Sequence, residues 1–176
     1  INERNNIQDR TEISKSKNAI NGIYEVDVLI SSGPLIPVNA LLEIGMNNSE
    51  LFIDLVDFEW CYRAKYSGFN VLMSSNITMK HNVGLKDKKI WLGKHTTICS
   101  PFRLYYVFRN CIFTLKMKHV PLMFKLRVML SLPMKFIIHM TCDNKIDRLN
   151  YICKGIIDGV LNRSGGYNNN WLKDKE

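Results

Sequence analysis

Residues 51–63 read Leu-Phe-Ile-Asp-Leu-Val-Asp-Phe-Glu-Trp-Cys-Tyr-Arg, an apolar run that meets Asp57 and Glu59 where the pattern turns helical. Carboxylates set among apolar residues are costly to desolvate unless water, a cation or a ligand uses them. This junction limits the folds open to the chain, because the backbone must take the run into a core and still leave both acids served. Two readings meet that demand. In one, Asp57 caps a helix and Glu59 complements its dipole, with no chemistry involved. In the other, the acids line a working site at the end of a strand.

The flanking pattern points to layered α/β structure. Residues 24–30 alternate polar and apolar before an apolar end, as a strand entering a core does. Ser31-Ser32-Gly33 follows, small enough to let backbone approach a ligand and equally suited to a turn before Pro34. Pro37 suits the first turn of a helix running to Ile44, with Gly45 as its stop. Residues 51–56 read as a strand, 57–67 as a helix closed by Gly68, and 69–73 as a returning strand, after which 77–80 lead to His81. Strand, helix, strand, helix, strand implies an α/β fold.

Charge divides the chain. Residues 1–87 hold 8 Lys/Arg against 11 Asp/Glu, residues 88–176 hold 16 against 5, and no acid occurs from Lys88 to Cys142. We therefore expect a first domain over 1–95 and a basic, mostly helical region over 96–176. A basic half calls for an anionic partner, either nucleic acid or an anionic membrane surface. Residues 120–140 are strongly apolar but carry Pro121, Lys125, Arg127, Pro133 and Lys135. They fall short of the ~20 nearly uncharged residues a spanning helix needs. A basic amphipathic helix in the bilayer interface fits them, and so does packing against another domain. Residues 154–167 read as a short amphipathic helix ending in glycines. Five cysteines without a CxxC pair fit reduced core residues, not a disulfide framework or a zinc site. The chain opens on Ile1 and polar residues with no signal-peptide pattern, and the expectation is that it starts inside a longer protein.

Several phrases, taken in order, resemble the C-terminal half of family 2 glycosyltransferases of the GT-A fold. They are Ser31-Ser32-Gly33-Pro34-Leu35-Ile36, residues 52–68, Lys80-His81-Asn82-Val83-Gly84, residues 103–110 and residues 154–159. The closer likeness is to the rhamnosyltransferase subgroup that builds bacterial cell-surface polysaccharides, and it covers the chain from about residue 24 onward. The family's other half, with the nucleotide-binding sheet and an Asp-x-Asp motif for a divalent metal, has no counterpart here, and the sequence contains no Asp-x-Asp. The resemblance thus implies the C-terminal portion of a GT-A fold followed by a basic, membrane-associating helical segment.

Sugar transfer from a nucleoside diphosphate sugar needs a base for the acceptor's hydroxyl proton and a cation to neutralise the departing diphosphate. By resemblance, Asp57 matches the general base of inverting members, and Ser32, Gly33, Glu59 and Trp60 fall on the acceptor side. His81 matches the histidine that completes the metal site for Mg²⁺ or Mn²⁺; without the motif it would be an ordinary turn histidine. The implied reaction moves L-rhamnose from dTDP-rhamnose to a lipid-linked or cell-surface polysaccharide acceptor. The implied location is cytoplasmic, peripheral on the inner face of the cell membrane. Transfer of another hexosyl or a galactofuranosyl group is the alternative within the class, because donor choice belongs to the missing half. Outside it stands a non-catalytic basic module, binding membrane or gripping single-stranded nucleic acid through Arg103, Tyr105, Tyr106, Phe108 and Arg109. The apolar stretch at 120–140 argues against a solvated nucleic-acid face, so nucleic acid is not expected as a partner.

Overall fold

The computed structural model describes residues 21–77, 87–89 and 95–167. Strand β1 (Ile23–Glu25) is followed by helix α1 (Val38–Ile44), a 3-10 turn (Ser49–Leu51), α2 (Val56–Tyr66) and β2 (Leu72–Ser74). Strands β3 (Asp87–Lys89) and β4 (His95–Thr97) come next, then α3 (Pro101–Lys116), α4 (Leu122–Met140) and α5 (Lys145–Val160). β1 pairs antiparallel with β2 in the register Ile23–Ser74, Tyr24–Met73, Glu25–Leu72, and β3 pairs antiparallel with β4. Among the described residues the fold is therefore mixed and mainly helical, with two small two-stranded sheets in place of the expected run of alternating strands and helices.

Three local expectations need correction. The strand expected over 24–30 ends at Glu25, although Val26 still donates to the Val71 carbonyl at 2.9 Å. The alternation marked burial correctly, since Val26 and Val28 enter the core, yet burial there comes from packing under α2 and α4. The strand expected over 51–56 does not form. Phe52, Asp54 and Leu55 lie at φ 62°, 61° and 64°, and three left-handed residues in four cannot extend a ladder. α5 begins at Lys145, nine residues before the helix expected over 154–167, and the glycines at 165 and 166 lie beyond its end.

α2 shows why residues 56–66 are helical. Its N-cap is Leu55, so Asp57 is not the cap but lies with Glu59 in the first turn, where both complement the helix dipole. At the other end Gly68, at φ 89°, donates to the Lys65 carbonyl and Phe69 to the Ala64 carbonyl, the paired bonds of a Schellman stop. α3 starts on Ser100, whose hydroxyl accepts from the Arg103 amide, with Pro101 at the first position.

The main core joins both halves of the chain. Val26, Val28, Cys61, Tyr62 and Val71 pack with Cys111, Val120, Phe124 and Val128. α3 and α5 approach more closely than ordinary helices because α5 presents Gly155 and Gly159, one turn apart, to α3. A Cβ on Gly155 would run into the Tyr105 carbonyl, and one on Gly159 would meet Ile112 Cβ at 3.0 Å. Around that contact Leu104, Phe108 and Ile152 form a second core.

Candidate active site

The three left-handed residues before α2 leave the carbonyls of residues 50–54 without helix or sheet partners. Two adjacent side chains of α3 supply the missing donors. Asn110 Nδ2 lies 2.9 Å from the Leu51 oxygen, 2.5 Å from Ile53 and 3.0 Å from Asp54, its two hydrogens shared among three acceptors. Arg109, 0% exposed, donates through Nη2 to Glu50 and Leu51 at 2.9 and 3.0 Å, and through Nη1 to Gly165 at 2.6 Å. Its charge is met by carbonyl dipoles and by the rings of Tyr105 and Tyr106, 5.2 and 4.9 Å from the guanidinium. A second basic residue of α3, Arg103, forks onto Asp54 through Nε (2.9 Å) and Nη2 (2.6 Å). Each left-handed non-glycine residue costs about 1–2 kcal/mol, and these buried bonds offset that cost. Tyr105 completes the support by donating its hydroxyl to Asp158 at 2.8 Å, and burial with that bond pushes it up to about 12.

Asp57 comes directly off this braced loop. Its half-buried carboxylate has no hydrogen-bond or ion-pair partner among the described residues. It shares a face with Cys61, one turn on, whose thiol is pushed up by burial and then by the nearby Asp57 charge. The Leu29 amide reaches that sulfur at 3.4 Å, so the segment leading to Ser31-Ser32-Gly33 passes the Asp57 side of α2. Gly33, at φ 90°, donates to the Ser31 carbonyl in a tight turn, and Ser32 beside it is half-buried. A carboxylate with no partner among the described residues, in the first turn of a helix that follows a braced loop, suits acceptance of a proton from a bound hydroxyl.

Glu59 points the other way, as positions two apart on a helix do. It is 3% exposed, pairs with Arg63 Nε at 2.9 Å and lies 2.9 Å from His119 Nε2. The His119 ring is not aligned for a hydrogen bond, and its buried Nε2 has no hydrogen-bond partner among the described residues. Arg63 in turn donates to the carbonyls of Ile44 (2.7 Å) and Met46 (2.8 Å), and Trp60 Nε1 donates to Gly45 at 2.9 Å. Glu59 and Trp60 thus tie α2 to the end of α1. An open depression of about 390 Å³ lies there, lined by Met46, Asn47, Asn48, Ser49, Glu59 and Arg63.

Over 165 residues, 93% of the chain, the sequence is 33% identical to dTDP-rhamnosyl transferase RfbF of Shigella flexneri. The chain is thus similar to part of a rhamnosyltransferase. It spans about half, 54%, of that relative's length. No family model and no solved structure matches it.

The structure thus brings Leu29, just before the Ser31–Gly33 turn, against Cys61 on the Asp57 face of α2, and it ties Glu59 to Arg63 and Trp60 to the Gly45 carbonyl. His81, the expected metal ligand, lies outside the described residues, and no group of three or more His, Cys, Asp or Glu among them could hold a metal ion. Sequence reasoning missed the Arg109–Asn110 brace, the Asp54–Arg103 fork and the placing of His119. The first two lie inside phrases that carried the resemblance, but nothing local marks a bond to a partner more than 45 residues away.

Proposed function

We propose that the chain is the acceptor-side half of an inverting glycosyltransferase of family 2 and GT-A fold, transferring L-rhamnose from dTDP-rhamnose. Its acceptor is a lipid-linked or cell-surface saccharide met at the cytoplasmic face of the inner membrane. In this reading the acceptor's hydroxyl proton passes to an Asp57 Oδ as its oxygen bonds the anomeric carbon. The bond from that carbon to the diphosphate breaks, and its electron pair leaves with dTDP. The divalent cation (Mg²⁺ or Mn²⁺) belongs to His81 and to residues beyond those described, and the proton transfer asks of this chain only Asp57.

One observation carries the assignment. Asp57, without a partner among the described residues, opens the helix that follows a loop held by buried Arg109 and Asn110. A helix-stabilising aspartate would not need its preceding loop braced at four carbonyls. The likeness to a dTDP-rhamnosyl transferase supports the reaction class and the choice of donor.

The test uses the full-length protein with dTDP-rhamnose, following dTDP release. Asp57→Asn should lower kcat by roughly 10²–10⁴ while dTDP binding by calorimetry stays near wild type. Unchanged turnover would reduce Asp57 to a structural residue. Faster turnover of another activated hexose than of dTDP-rhamnose would overturn the donor assignment alone.

A further inference from the structure

The outer face of α4 is apolar and, among the described residues, uncovered. Leu122, Leu126, Met129, Leu130, Met134 and Ile137 are all exposed, Leu130 to 79%. At helical spacing they occupy one stripe about 140° wide, opposite the buried Phe124, Val128 and His139. Lys125 and Arg127 fall on its two margins, and neither α4 nor residues 117–121 before it contain an acid. Soluble proteins seldom leave so broad a stripe open without a use for it. Yet no helix among the described residues is long and apolar enough to cross a membrane.

We propose that α4 seats the protein on an anionic bilayer, its axis in the membrane plane and its stripe in the boundary between headgroups and acyl chains. Charge decides between this and a second copy of the chain. Two α4 faces related by a twofold axis would set Lys125 and Arg127 against their own copies, in a half of the chain holding 16 Lys/Arg against 5 Asp/Glu. Anionic headgroups neutralise the same residues. The inference deepens the sugar-transfer reading by naming the surface from which a lipid-linked acceptor arrives, and it rests on that reading only there. Vesicle binding needs neither nucleotide nor sugar, so its failure leaves the transfer chemistry untouched, and the converse holds too.

The experiment is flotation of the chain with phosphatidylcholine vesicles, with and without about one part in three of phosphatidylglycerol. The chain should float with the anionic vesicles at low salt and stay down with the neutral ones. Lys125→Gln/Arg127→Gln should weaken binding roughly 10- to 30-fold. Leu126→Glu/Leu130→Glu should abolish it, with the far-ultraviolet circular dichroism and melting curve kept, because both positions face outward. Wild-type chain that ignores anionic vesicles, or flotation indifferent to both double variants, overturns the proposal. So does a dimer that the paired glutamates dissociate while no flotation is seen, which would give the stripe to a second copy.

Discussion

Asn110 and Arg109 act on Asp57 without touching it. Asn110→Ala leaves the Leu51, Ile53 and Asp54 carbonyls short of donors in a buried place, at about 1–3 kcal/mol. In a protein of this size that lowers Tm by several degrees in a thermal melt. Asn110→Asp should do worse, since it turns an acceptor toward three carbonyl oxygens; equal melting points for the two variants would mean that Asn110 only fills space. His139 is a second buried group with a measurable signature. Burial, with Arg148 and Lys135 nearby, lowers it to about 4, and Arg148 Nη1 lies 3.4 Å from its Nδ1. Between pH 6.5 and 4 the unfolded chain takes up a proton that the folded chain refuses. Stability therefore falls as pH drops through that window and levels off below it, by on the order of 3 kcal/mol in all. Urea unfolding at pH 7 and pH 4.5 should show the loss, and His139→Gln should flatten it.

At the scale of elements, the α3–α5 contact depends on two missing side chains. Gly155→Ala drives a methyl into the Tyr105 carbonyl, a backbone atom that cannot yield, and should cost roughly 1–3 kcal/mol. Gly159→Ala should cost less, because its methyl would lie 3.0–3.1 Å from Ile112 Cβ and the Arg109 carbonyl, short by a few tenths of an ångström and not an outright overlap. Thermal melts that rank the two the other way would misplace the tight point of this interface. The sequence made some of these elements plain and hid others. Pro37 and Gly45 bounded α1, and Gly68 closed α2, since each signal acts within a few residues. The run at 51–56 looked like a strand because apolar composition does not report φ. Its left-handed bends exist only because α3, some 55–60 residues on, offers donors to the freed carbonyls. Asp57 was legible as a candidate from its setting and from the resemblance. Glu59, two positions on, turns away from it to pair with Arg63, while Trp60, three positions on, bonds the Gly45 carbonyl at the end of α1.

Across the whole molecule, the segment after α5 closes back on the loop that carries Asp57. Gly165 both accepts from Arg109 and donates to the Glu50 carbonyl at 2.9 Å, and Tyr167 donates its amide to the Tyr106 hydroxyl at 2.7 Å. Truncation after Ser164 should leave a buried guanidinium arm unpaired, costing about 1–3 kcal/mol and, in the full-length protein, lowering turnover with little change in donor binding. Turnover equal to that of the intact protein would show that the tail merely rests there. The same closure sets an order on assembly. A ribosome delivers residues 50–57 more than a hundred residues before Gly165, and domains tend to fold as their parts emerge. Here the nascent chain can build α1 and α2 early and brace the bend at 52–55 once α3 follows, but the last bonds around it wait for Gly165. A chain stalled before Gly165 would therefore be largely folded, with the support of this bend still incomplete.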